Sequence, residues 1–240
     1  MPNYGTPNTD YFARWFSEED DFPVWALNFM RYHEVAQYTD GRETTISGQE
    51  ADDVYAPHGP LAAVGARVVV VADVEHHLVG NGITWDRIAV AQYPARKAMA
   101  EMNMRDDFKD AHDHKEAGMA ETIVMFSVPT ADSPVPAEDL DTAGRRLLLQ
   151  VNANPDAPDL ADSVESTRLA EFTVDGVVLG DGRSWARVLW DIVDDDAVDA
   201  LVTAHAGAPS TDGEYALIIR SAQDLLPESL RQHAAGTYPA

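Results

Sequence analysis

The stretch "AHDHKEAG" places His112, His114 and Lys115 within four residues of one another. Histidine is the side chain best suited to proton transfer near neutral pH. On a helix advancing 100° per residue, Met104, Phe108, Ala111 and Met119 form one apolar stripe. Lys115 falls in the middle of that stripe, His112 at its edge, and His114 points well away. A lysine in an apolar stripe either snorkels outward or meets an anion in the interior. In the second case it can stabilise an enolate-like oxyanion while a histidine carries the proton. His58, after a helix interrupted by Pro57, is the other candidate proton carrier. Asn28 and Gln92 are amides on otherwise apolar strands, and buried amides need hydrogen-bond partners that a ligand can supply. Tyr55 joins Asn28 as an orienting group. Asp86 has no counterpart at Ala186 in a related stretch described below, which leaves it free for a specific task. His33 follows the first strand, where loops build sites.

A second constellation lies on residues 66–80, where a period of two puts Asp73, Glu75 and His77 on one face. Carboxylates beside a histidine suit acid–base work or a metal. Same-face neighbours on a strand sit ~6.5–7 Å apart, however, so three in a row do not readily surround one ion. No HExxH spacing, GxGxxG loop, P-loop or GxSxG elbow occurs, so no nucleotide cofactor or serine-hydrolase chemistry is indicated. No cofactor is favoured, and the metal ligands, if any, are undefined.

The chain has 240 residues, with 41 acidic and 17 basic side chains and a formal net charge of -24. The acidic excess is spread over both halves. Such a field repels phosphate backbones and anionic membranes, so neither nucleic acid nor a membrane is an expected partner. Cysteine is absent, which removes disulfides, thiolate metal sites and cysteine nucleophiles. No apolar run approaches the ~20 residues of a membrane span, and no secretory signal is evident at the start. The expected location is cytoplasmic.

These residues need elements to hold them. Residues 1–21 read as an aromatic-bearing arm and 24–32 as a buried strand. A helix follows at 49–56, then a hairpin of 66–80 and 83–93 turning at Asn81-Gly82. Residues 95–120 are helical and 121–129 form a strand. After a Pro- and Asp-rich linker at 130–144 the order begins again. It runs strand 145–153, helix 159–172, hairpin 172–182 with 184–193, helix 195–207 and strand 214–222, with a tail from 227 to 240. "TWDRIAVAQYP" at 84–94 and "SWARVLWDIVD" at 184–194 occupy the same place in the two series. The expectation is α+β: two tandem ferredoxin-like βαββαβ units, 22–129 and 145–226, packed as an intramolecular dimeric α+β barrel. The pocket would then lie between the two sheets.

The first half resembles an uncharacterised, domain-of-unknown-function family of the dimeric α+β barrel superfamily. The resemblance is carried by Tyr38-Thr-Asp-Gly41, Ser47-Gly48-x-Glu50-Ala51 with Tyr55, Gly65-Ala66 and Trp85-Asp86. It continues through Tyr93-Pro94-Ala95-Arg96, Met102 and His114-Lys115-x-Ala117-Gly118, covering residues 22–129. It adds His114 to the catalytic candidates His58, His112 and Lys115. Asn28, His33, Tyr55, Asp86 and Gln92 remain the substrate-binding candidates. Where the family pattern tends to have His-Arg, this chain has His114-Lys115, and lysine offers a point charge and not a fork. The resemblance implies fold more than function; the leading expectation for function is an enzyme of bacterial small-molecule metabolism, secondary metabolism included, acting on a hydrophobic organic molecule. Its chemistry would be acid–base or cofactor-independent oxidation, of an isomerase, cyclase or monooxygenase kind. Two other readings are a non-catalytic ligand-binding or assembly protein, and a metal- or haem-dependent enzyme. The chain is expected as a monomer or homodimer.

Overall fold

The computed structural model of the chain describes residues 4–207, 211 and 213–237. In chain order it contains β1 (Thr6–Pro7), α1 (Thr9–Ser17), β2 (Val24–Tyr32), α2 (Gly48–Tyr55) and α3 (His58–Ala63). Then come β3 (Arg67–Val79), β4 (Arg87–Tyr93), α4 (Arg96–Met104), α5 (Asp106–Gly118) and β5 (Met119–Pro129). The second half holds β6 (Arg146–Asn152), β7 (Ser166–Gly180), β8 (Arg187–Val193), α6 (Asp195–His205), β9 (Glu214–Asp224) and α7 (Leu226–Ala234). No helix among the described residues is long and apolar enough to cross a membrane.

The strands form one sheet in the order β1-β7-β5-β2-β4-β3-β9-β6-β8, and β7 also pairs with β8. That last pairing closes eight antiparallel strands into a barrel, with β1 added outside the ring. Side chains alternate between its two faces. Trp25, Leu27 and Phe29 of β2 point inward with Ile88 and Val90 of β4, Leu147 and Leu149 of β6, and Leu217 and Ile219 of β9. Phe29, Trp85, Trp185 and Tyr215 meet ring to ring there, at 5.3 to 6.0 Å between centroids. Each such side chain contributes roughly 2–3 kcal/mol by leaving water. The opposite face of the first half, with Val24, Ala26, Tyr93 and Phe126, is covered by α1 to α5. In the second half α6 lies over Leu148, Ala216 and Ile218.

This architecture corrects the expected pair of tandem ferredoxin-like units and the dimeric α+β barrel built from them. The strands do not divide into two sheets laid face to face. β5 pairs with β7 and β3 with β9, so a single ladder runs across both halves. The helix expected at 159–172 is also missing. Only one short turn forms, at Leu160–Ser163, and 166–172 belongs to the long strand β7. Thr167, Phe172, Thr173 and Val174 favour an extended chain there. The space expected between two sheets is occupied by these inward, buried side chains. The two Trp-x-Arg stretches do make matching bonds. Asp86 and Ala186 donate their N–H groups to Met30 and Asn152, and accept from Val74 and Val174. α6 follows β8 as α4 and α5 follow β4, but the second half has only the turn at Leu160–Ser163 where the first has α2 and α3.

Candidate active site

Two helices meet at a point where no side chain fits. Ser47 caps α2 by accepting from the Glu50 N–H, while the Glu50 carboxylate accepts from the Ser47 N–H. Gly48 then passes so close to the end of α5 that a Cβ there would lie 2.3 Å from the Gly118 carbonyl oxygen. A Cβ on Gly118 would lie 2.4 Å from the Gly48 oxygen. This approach places one face of α2, bearing Asp52 and Tyr55, beside one face of α5, bearing His112 and Lys115. In each pair the residues are three apart and share a helix face.

Between these helices and the outer face of the sheet lies a cavity of about 520 Å³, a size suited to a small organic ligand. Its walls are mostly apolar. Met30, Val68, Val71 and Ala91 come from the sheet, Leu61 from α3, Met99 and Met102 from α4, and Phe108 from α5. Tyr4, Pro7 and Phe12 of the N-terminal segment close one side. The polar groups converge from Asn28, Asp52, Tyr55, His58, His112 and Lys115.

Their electrostatics follow from burial. The Lys115 pKa is lowered because burial disfavours its charge, while the Asp52 carboxylate pulls the other way. Burial raises the Asp52 pKa, opposed by Lys115, by the Tyr32 hydroxyl that donates to it at 2.7 Å and by Arg87. Lys115 Nζ sits 5.2 Å from the centre of the Tyr55 ring. Among the described residues it makes no hydrogen bond or ion pair. The His112 pKa is lowered by burial and then by the Lys115 charge, with Glu116 and Asp113 opposing. Its Nε2 lies 3.3 Å from the Tyr4 hydroxyl, and its buried Nδ1 has no partner. The Tyr55 phenol is pushed well above its ordinary pKa, chiefly by burial, and stays protonated as a donor. Asn28 Nδ2 donates to the Ala26 carbonyl at 2.8 Å.

The fold therefore brings Asn28, Tyr55, His112 and Lys115 together, with His58 exposed at the cavity wall. It does not bring in the other four candidates. His114 accompanies Tyr38, whose hydroxyl is 2.7 Å from Nδ1. Asp86 accepts the Tyr32 N–H at 2.7 Å, beside an irregularity in β2. Gln92 is buried away from the cavity, accepting from Arg67 Nε at 3.1 Å. His33 joins backbone to backbone, donating to Gly118 and accepting from Gly48. The Asp73–Glu75–His77 face is likewise divided among separate partners. Asp73 is 3.5 Å from Arg87, Glu75 binds Arg146 and Arg220, and His77 accepts the Trp85 N–H. Among the described residues no group of three His, Asp or Glu side chains is placed to hold a metal ion.

Sequence reasoning missed Asp52 and Tyr4. Asp52 could have been found, because it precedes Tyr55 by one helical turn. Tyr4 carries no local clue, since an N-terminal segment far away in sequence delivers it. Arg87 also lines the cavity while binding Asp53 Oδ1 at 2.6 Å.

No family profile and no curated protein matches the chain. Two solved structures are similar to part of it. The crystal structure of methylated RPA0582 protein is 30% identical, covers 55% of this chain and 98% of its own, and has a TM-score of 0.48. The RPA0582 protein of unknown function from Rhodopseudomonas palustris is 28% identical, with 52% and 95% covered and a TM-score of 0.45.

Proposed function

We propose that the protein is an enzyme of small-molecule metabolism that binds a hydrophobic carbonyl compound in the helix-side cavity and moves a proton at the carbon beside the carbonyl. The observation that carries this reading is Lys115, an amine without a hydrogen-bond partner among the described residues, set in an apolar cavity beside a buried histidine nitrogen that also lacks one. Lys115 holds the substrate oxygen as it gains charge. His112 carries the proton, and its lowered pKa keeps it neutral and able to accept one near pH 7. Tyr55 and Asn28 orient the oxygen-bearing end, and Met99 and Met102 adapt to the apolar end. The partner is a small hydrophobic organic molecule, with no role for nucleic acid or a membrane.

The test is deuterium exchange at the carbons flanking the ketone of 4-phenylbutan-2-one, followed by NMR in D2O. Wild-type protein is expected to exceed the buffer rate. His112→Gln should lower that excess by about 100-fold, and Lys115→Met should lower it too, with thermal melts unchanged. Binding of the ketone without faster exchange would overturn the enzymatic reading and leave a ligand-binding protein.

A further inference from the structure

We infer that Lys115 is a nucleophile that forms a Schiff base with a hydrophobic aldehyde or ketone bound in the helix-side cavity. The inference rests on the proposed function and sharpens it, replacing a hydrogen bond to the carbonyl oxygen by a covalent bond to the carbonyl carbon. Three features carry it. The Lys115 amine opens on a cavity of about 520 Å³. It is tied to no carboxylate or carbonyl among the described residues, whereas Lys109 is held by the Met104 carbonyl and Asp106. Two potential acids line the same cavity, Asp52 and Tyr55. A permanently charged ammonium in such surroundings would need a hydrogen-bonding partner. A neutral amine does not, and it is the reactive form.

The step balances as follows. The Lys115 Nζ lone pair attacks the carbonyl carbon, forming a C–N bond, and one amine proton passes to the carbonyl oxygen to give a carbinolamine. The C–O bond then breaks. Its oxygen leaves as water with a second proton, supplied by the Asp52 carboxyl group. An iminium on Lys115 and a carboxylate on Asp52 remain. Burial favours the protonated carboxyl before the step, and the new charge pair stabilises its product. The iminium withdraws electrons from the neighbouring carbon more strongly than a ketone does, so His112 can remove its proton. Water reverses the sequence and frees the lysine.

The chain has three lysines, Lys97, Lys109 and Lys115, which makes the test clean. Protein is incubated with 3-phenylpropanal and sodium cyanoborohydride, digested, and the reduced adducts are located by mass spectrometry. Lys115 should be labelled at least about ten-fold faster than Lys97 and Lys109. Asp52→Asn should slow labelling at Lys115 and leave the other two lysines unchanged. In parallel, 3-phenylpropan-1-ol, which cannot form an imine, is titrated against the protein by calorimetry. Binding of the alcohol with no preference for Lys115 would overturn the Schiff base and leave the proposed function standing. Failure of both would overturn the two together.

Discussion

At the scale of single residues, His77 shows how one histidine can look catalytic and serve the backbone. Its Nε2 accepts the Trp85 N–H at 2.8 Å, which only an unprotonated nitrogen can do. Burial, first among several influences, lowers its pKa below the ordinary 6.5. In the window below 6.5 the unfolded chain binds this proton before the folded one, so stability rises with pH there and falls as acid is added. The melting temperature should therefore drop between pH 7.5 and pH 5. The drop should be smaller in His77→Gln, whose amide oxygen accepts the same N–H at either pH, by a difference worth about 1 kcal/mol. Equal drops in the two proteins would remove the role. The five candidates that do line the cavity, Asn28, Tyr55, His58, His112 and Lys115, were legible from residue type and from their places on strand, helix and loop. His33, His114, Asp86 and Gln92 were not separable from them, because a one-dimensional pattern shows which face a side chain takes and not which partner already holds it.

At the scale of elements, the helices around the cavity are positioned by backbone contact. Gly48 sits where any Cβ would meet the carbonyl oxygens of Gly118 and His33, and backbone atoms cannot turn aside as a side chain can. Gly48→Ala is expected to push α2 from α5 and cost about 1–3 kcal/mol, as overpacking does. It should also lower affinity for 3-phenylpropan-1-ol, since Tyr55 rides on α2. Unfolding in denaturant and calorimetry check the two effects. Strand positions were readable in the sequence because β-branched runs and turn residues are local features. The residues 159–172 were misread because "DLADSVESTRLAEF" carries helix formers along its whole length, Arg168 to Glu171 included. Pairing of its second part with β8 outweighs that preference. The pairing of β5 with β7 and of β3 with β9 joins residues distant in sequence, and nothing local announces it.

At the scale of the molecule, charge and closure dominate. With 41 acidic and 17 basic side chains the folded chain repels itself. Salt screens that repulsion, with a Debye length of about 10 Å at 0.1 M and 3 Å at 1 M. The melting temperature should therefore rise by several degrees between 10 mM and 1 M sodium chloride, and a flat response would show that the ion pairs already balance the field. The closed barrel bears on something else, the order in which the chain can be made. β3 and β5 are complete when residue 129 has been synthesised, but their partners β7 and β9 start at residues 166 and 214. At roughly 5–20 residues per second, β3 waits on the order of ten seconds for β9. During that interval the newly made first half presents two open strand edges, and exposed edges invite pairing with other chains. Slow, chaperone-sensitive production at high expression rates is the expected cost of a ring that only the last strand can close.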